Sequence, residues 1–413
     1  MTQPTRIHLF QGYGIELEYM LVDKETLAIK SIADEVLKHE LGSYGSDFEN
    51  GMVTWSNELV LHVIELKSTR PENNFNALEN AFVDDVRRIN AILYKWNAML
   101  MPTAAHPFMN PLTDTKLWPH DSNEVYDLYD KIFNTKGHGW SNLQSTHLNL
   151  PFYDDEEFAK LHAAVRLILP ILPALCASSP ILDGKLTGTL DTRLSYYKTN
   201  QSKITSITGR VIPEAIFSKR NYLNQVYEKI KTDIAPYDTK NILNPIWVNS
   251  RGAIPRFDRG SIEIRLMDIQ ECPTADMAII ELVIETLTAL TNNKFIDFEE
   301  QMKYKTEGLV QVYERVLTTG LFTEIDAPEY LKVFGLTATC TVRELWQIII
   351  DKLVAAGNTA LEKWKPELSV ILKEGSLSER IIKALDNDHS PKAIAKTYRQ
   401  LSGCLAQNKM FIP

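Results

Sequence analysis

Apolar and polar positions alternate in several short stretches and recur at helical spacing in several long ones. Gly14 to Leu21 sets Ile15, Leu17, Tyr19 and Leu21 on one face and Glu16, Glu18 and Met20 on the other, which predicts a strand. Glu58 to Leu66 is rich in Val, Leu and Ile and predicts a second extended segment, ended by Arg70-Pro71. Leu143 to Leu150 and Ser261 to Met267 predict two more, the latter with Ile262, Ile264 and Leu266 facing away from Glu263, Arg265 and Met267. Helical spacing runs from Phe75 to Met99, through Leu78, Phe82, Val86, Ile89 and Leu93. Further helices are predicted at Asn123–Phe133 and at Asp154–Leu169, where Asp154 is a candidate cap. Residues 183–245 read as long loops around a helix at about 222–233. From Thr274 the pattern is mostly helical, with strong apolar faces at Asp276–Leu290 and Thr341–Ala355 and weaker ones at Ile381–Leu385 and Ala393–Leu405. Strands early and helices late predict an α+β fold. The sheet should be antiparallel, with helices on one face and the other open to ligand. We expect a catalytic region over 1–295 and a helical region over 296–413, packed behind the sheet or forming a homodimer contact.

Composition narrows the class. The 413 residues are 44% hydrophobic and 23% charged, as in ordinary globular proteins. A net charge of −9 argues against nucleic-acid binding. The four cysteines, Cys176, Cys272, Cys340 and Cys404, lie far apart with no CxxC pair, so neither a zinc site nor a disulfide framework is expected. No apolar run reaches the ~18 residues of a membrane span, and the N-terminal stretch has no apolar run of signal-peptide length. These features predict a cytoplasmic, reducing setting.

The strands carry the candidate chemistry. Glu16 and Glu18 share one face at i and i+2, about 7 Å apart. His147 and Asn149 are paired in the same way, as are Glu263 and Arg265. Glu58 and Glu65 are seven residues apart, an odd spacing that a regular strand would split between faces. A bulge or turn between them, or Glu58 on a preceding loop, is therefore expected. Alone, each pair reads equally as a solvated strand face. Together, converging carboxylates and a neutral imidazole make a hard, oxygen-rich site suited to Mg²⁺ or Mn²⁺. Without cations those carboxylates would repel one another.

The run Gly14-Ile15-Glu16-Leu17-Glu18 resembles the opening motif of glutamate–cysteine ligase family 2, the carboxylate–amine ligases. Glu58-x6-Glu65-Leu66 is similar to the second acidic strand of that superfamily, and Ala105-His106-Pro107-Phe108 to its His-Pro-Phe turn. Ala177-Ser178-Ser179-Pro180 with Gly184, Asp191 and Arg193 resembles its substrate loop, and Ser261 to Asp268 resembles its Thr-Val-Glu-Val-Arg-x-x-Asp strand. The motifs keep the family's order over residues 12–290. The resemblance implies a glutamine-synthetase-like curved antiparallel sheet whose concave face binds ATP and metal. It implies that ATP phosphorylates the γ-carboxylate of glutamate and that an amine, in the first instance cysteine, displaces phosphate to give an amide. It implies that Glu16, Glu18, Glu58, Glu65, His147 and Glu263 hold Mg²⁺, and that Arg265 faces the transferred phosphoryl group, where a planar fork suits the charge.

Arg193 and Arg251 are candidates for a substrate carboxylate or nucleotide phosphate; the competing role for each is a structural ion pair. Asn149 stands where the family often has the second histidine of a His-x-His pair, so it is assigned to substrate or nucleotide binding and leaves the amine open. His106 and His62 read as structural, Asp268 as a support for Arg265 or the strand end, and Arg256 and Arg259 are left unassigned. Two other readings stay open: the same chemistry with another amine, and a weakly catalytic protein that binds nucleotide or amino acid.

Overall fold

The computed structural model describes residues 6–413, so the first five residues of the expected 1–295 region and of the N-terminal stretch lie outside it. The fold is α+β, built on one eight-stranded antiparallel sheet. Its strands are β1 (Gly14–Asp23), β2 (Asp47–Asn50), β3 (Val53–Asn57), β4 (Val63–Ser68), β5 (Ala98–Met101), β6 (Ser145–Pro151), β9 (Ala253–Arg256) and β10 (Ser261–Asp268). The short strands β7 (Ile181–Leu182) and β8 (Lys185–Leu186) form a separate hairpin. The order across the main sheet is β2-β3-β4-β1-β6-β10-β9, with β5 pairing the far half of β1.

Alternation along β1 decides which face does what. Ile15, Leu17, Tyr19 and Leu21 are fully buried in the main core. Helices cover that face. Phe75–Leu93, capped by the Asn74 side chain on the Ala77 N–H, buries Leu78, Phe82, Val86, Ile89 and Leu93. Asp155–Ile168 is capped by Asp154, which accepts from the N–H groups of Glu156 and Glu157. Pro273–Thr291 is buried on nearly all sides.

The front face is divided. Near Gly14 it carries Glu16 and Glu18 and is open. Further on, Met20 and Val22 on β1 join Met99 and Met101 on β5 in a second apolar cluster. The helices Leu377–Leu385 and Pro391–Gln407 close over that cluster. The C-terminal helices therefore pack on both sides: Val342–Ala355 behind the sheet in the main core, the last two across the front. The main core also runs continuously through residues on both sides of position 295.

Three boundaries differ from the sequence pattern. The helix starting at Phe75 ends at Leu93, and after a short 3₁₀ turn Asn97 adopts φ 53°, so Met99 lies in β5. The second extended stretch is two pieces: β4 begins at Val63, and Glu58 falls in the β3–β4 connection. Met267 belongs to the core, not to the face of Glu263, for a reason given below. Among the described residues no helix is long and apolar enough to cross a membrane, and all four cysteines are free.

Candidate metal and phosphoryl-transfer site

Cross-strand register brings the acidic residues together. In an antiparallel ladder, directly opposed residues share a face with Cβ atoms ~5 Å apart. Glu16 opposes His147, Glu18 opposes Glu65, and Glu263 opposes Asn149. Glu16, Glu18, Glu65, His147, Asn149 and Glu263 thus all project from the open front face. Their atoms form two ligand sets. In one, Glu16, His147 and Glu263 offer ligand atoms within 4.8 Å of one another; in the other, Glu18, Glu65 and His147 do so. Neutral imidazole has one acceptor nitrogen, so His147 can serve only one set at a time.

Hydrogen bonds pin each carboxylate. Glu16 faces His147 Nδ1 at 2.8 Å and accepts from the Asn149 amide at 2.9 Å. Glu18 accepts from the Ser145 N–H at 2.8 Å and its hydroxyl at 3.0 Å. Glu263 accepts from Arg256 Nε at 2.7 Å and lies 3.3 Å from Arg265 Nη1. Lys67 Nζ sits 3.4 Å from Glu65.

The two sets differ in charge compensation. Burial alone would push the Glu16 carboxyl up, but the His147 hydrogen bond and the charges of His147 and Arg265 hold it at about 2. Burial likewise opposes the charge of Glu263, and Arg265 and Arg256 outweigh it, holding that carboxyl below its ordinary value. Burial and the Arg265 charge disfavour protonated His147, yet Glu16 and Glu18 raise it above the usual imidazole value. The inner carboxylates have fewer cations. Burial, with the Glu18 charge, pushes Glu58 up to about 7. Burial, with Glu16 and Glu58, pushes Glu65 well above the carboxylate range. This inner group is short of positive charge. A hard divalent cation fits both that deficit and the donor set.

Two hollows flank the site. An open cleft runs past Glu16, Glu65, Asn149, Glu263 and the cations Lys67, Arg70, Arg256 and Arg259. An inner pocket lies against Glu18, walled by Leu59, Val60, Val63, Trp140, Leu143 and Tyr197. Glu58, His147 and Arg265 line both.

The other candidates fall elsewhere. Arg251 lines neither hollow. Its Nε and Nη2 hold Glu214 at 2.6 and 2.7 Å, and its Nη1 donates to Ser206, Ile207 and Asn249, so the assignment to a substrate carboxylate or phosphate is corrected to a structural ion pair. Arg193 borders the inner pocket, but its guanidinium is bound by Asp268. Asp268 therefore supports Arg193 and not the Arg265 side chain. Asn149 donates its amide to Glu16, which ties it to a candidate metal ligand. His62 and His106 are buried, their Nε2 atoms against the carbonyls of Ser141 and Leu27, both at 2.7 Å. Sequence reasoning missed Lys67 and Arg256. Lys67 stands two residues beyond Glu65 on β4, a signal that was available; Arg256 reaches Glu263 through the β9–β10 hairpin, whose loop Phe257-Asp258-Arg259-Gly260 carries the glycine that marks such a turn.

Comparison with known proteins follows the same lines. The sequence model of glutamate-cysteine ligase family 2 matches residues 13–395. An uncharacterised protein of Archaeoglobus fulgidus is 31% identical over 402 residues, 97% of this chain and all of that protein. A Bradyrhizobium protein provisionally named glutamate–cysteine ligase 2 is 24% identical over 65% of this chain, and the match spans 59% of that protein's length. Among solved structures, a bifunctional glutathione synthetase from Pasteurella multocida superposes with a TM-score of 0.61 at 13% identity, over 97% of this chain and 53% of that one. A glutamate–cysteine ligase from Francisella tularensis, solved with AMP, superposes with a TM-score of 0.54 at 12% identity, over 96% and 93%. These structural likenesses speak to the fold.

Proposed function

Because the chain belongs to glutamate-cysteine ligase family 2, we propose that it is an ATP- and Mg²⁺-dependent ligase joining the γ-carboxylate of glutamate to an amine, with cysteine the first candidate. The observation that carries this reading is the pair of ligand sets meeting at His147, with Arg265 between the open cleft and the inner pocket. When bound, Mg²⁺ and ATP supply the activating phosphoryl group and the positive charge that a carboxylate needs to become electrophilic.

The chain's own residues have distinct tasks in this scheme. Glu16, Glu263 and His147 hold one cation, and Glu18 and Glu65, with Glu58 beside them, hold another. Ser145 and Asn149 fix the carboxylates so that little reorganisation is needed on binding. Arg265 neutralises oxygen charge on the group in transfer; its side chain is partly exposed and reaches both hollows. Lys67, Arg70, Arg256 and Arg259 give the open cleft the positive rim that a polyphosphate requires. The apolar wall of the inner pocket keeps water from the activated carboxylate, so that the amine reacts in its place. The free cysteines suit a reducing cytoplasm.

The test is phosphate release from ATP with Mg²⁺ and glutamate over a panel of amines, with the product mass measured. Amine-dependent release and a glutamyl amide are expected. Amide formation with an amine other than cysteine would keep the reaction and change the acceptor, and absence of release with every amine would overturn the reading.

A further inference from the structure

We propose that Arg193 is a positioning residue for Arg265: it pins the β-bulge from which Arg265 is aimed at the site. The inference rests on the role given to Arg265 above and concerns a residue whose motif pointed instead to ligand binding.

The bulge is visible in the register. Ile264 opposes Leu148, but the next pair is Met267 with Thr146, so three steps on β10 match two on β6. Arg265 and Leu266 therefore share His147 as their counterpart. An extra residue leaves part of the ladder unpaired and reverses the side-chain alternation beyond it. That reversal is why Met267 enters the core and Asp268 turns to the face of Ser145.

On the β9 side the ladder runs on without interruption, the Arg265 N–H donating to the Gly252 carbonyl at 3.0 Å. The Arg265 carbonyl accepts from both Nη atoms of Arg193, at 3.4 and 3.3 Å. Gly252 leaves room for Leu266: a Cβ there would lie 2.6 Å from a Leu266 methyl carbon, so that side chain would have to shift.

Arg193 is itself held rigidly. Its Nε donates to Asp268 Oδ1, just past the bulge, and its side chain is 1% exposed. Asp268 Oδ2 accepts from the Ser178 N–H at 2.8 Å and the Ser179 hydroxyl at 3.0 Å. The Arg193 N–H returns to the Ser179 hydroxyl at 3.1 Å. One guanidinium thus spans the bulge from the Arg265 carbonyl to the Asp268 carboxylate. Arg193 lies on the helix Thr192–Tyr197, whose Tyr197 lines the inner pocket with Arg265. A fork-shaped donor can hold both ends at once and a lysine cannot.

The test compares Arg193→Lys, Arg265→Lys and the double variant with the wild type. A misplacement of ~1 Å can cost about 10²-fold in rate. We expect Arg193→Lys to lower kcat roughly 10- to 100-fold, with KM for ATP changed by less than about 3-fold, measured below the melting temperature, which should fall because lysine leaves part of the buried network unmade. On the Arg265→Lys background the same change should cost almost nothing, because its effect passes through Arg265. Unchanged kcat in Arg193→Lys, or an undiminished loss in the double variant, would overturn the proposal. A crystal structure of Arg193→Gln/Asp268→Asn, which removes both charges of the pair together, gives a reading independent of turnover. Arg265 should be displaced or the 264/267 register shift lost; an unmoved Arg265 would overturn the proposal. A wild type that turns over no substrate would sink the ligase reading instead, and the crystal structure would still decide the role of Arg193.

Discussion

Replacing Glu58 by glutamine should stabilise the metal-free protein, and the effect should depend on pH in a defined direction. Burial and Glu18 raise the Glu58 carboxyl from 4.5 to about 7. The folded chain therefore holds this proton more tightly than the unfolded chain. Its contribution is fully present below pH 4.5 and is lost as pH rises through about 7. The interval from 4.5 to about 7 corresponds to roughly 3 kcal/mol. Glu58 is only partly buried, so water screens some of it and roughly 1–3 kcal/mol is the expected penalty at pH 8. Glutamine keeps the shape and removes the charge. In urea titrations with EDTA, Glu58→Gln should match the wild type near pH 4.5 and exceed it by that amount at pH 8. Saturating Mn²⁺ should narrow or reverse the difference, since a ligand at 100 times its Kd adds about 2.7 kcal/mol to whichever protein binds it. A variant no more stable than the wild type at pH 8 in EDTA would refute the view that the inner carboxylates are short of cations.

Other outcomes follow from the same geometry. Arg265→Ala should lower kcat by about 10²–10³-fold or more while the protein stays folded by circular dichroism; near-normal turnover would remove Arg265 from the chemistry. Burial, with the Arg166 charge, holds His162 down to about 3, so the unfolded chain binds more protons below 6.5 and stability is lost as pH is lowered from 6.5 towards 3. His162→Phe should therefore exceed the wild type by about 2 kcal/mol at pH 5, and equal urea midpoints at that pH would contradict this. Arg380 and Glu271 form a fully buried pair that also holds both backbone groups of Phe411. Arg380→Met should cost roughly 3–5 kcal/mol, and Arg380→Met/Glu271→Leu should be more stable than that single variant; a double variant that is less stable would show that the pair contributes more than mutual neutralisation.

Much of the fold was legible because single-strand alternation reports which face a residue occupies. Glu16, Glu18, His147 and Asn149 sit on regular strands, and their shared face follows from spacing alone. The odd interval between Glu58 and Glu65 also told the truth: the chain turns between them. What stayed hidden was non-local. The bulge at Arg265 and Leu266 is held by Arg193, 72 residues away, so simple alternation put Met267 on the wrong face. Arg251 looked available until Glu214 was seen across from it. The closing of the front face over Met20 and Val22 depends on helices more than 350 residues away, and no local pattern encodes that contact. The face each strand residue takes was readable; partner choice among buried charges was not.

The account's central claim is that the front face of the sheet holds divalent metal between its carboxylates and the phosphates of ATP. Anomalous diffraction from crystals grown with Mn²⁺ and a non-hydrolysable ATP analogue tests it most directly. Manganese peaks are predicted beside Glu16–His147–Glu263 and Glu18–Glu65, with the analogue's phosphates reaching toward Arg265. Bound nucleotide with no manganese at either set, or manganese only at exposed acidic residues elsewhere, would contradict the claim.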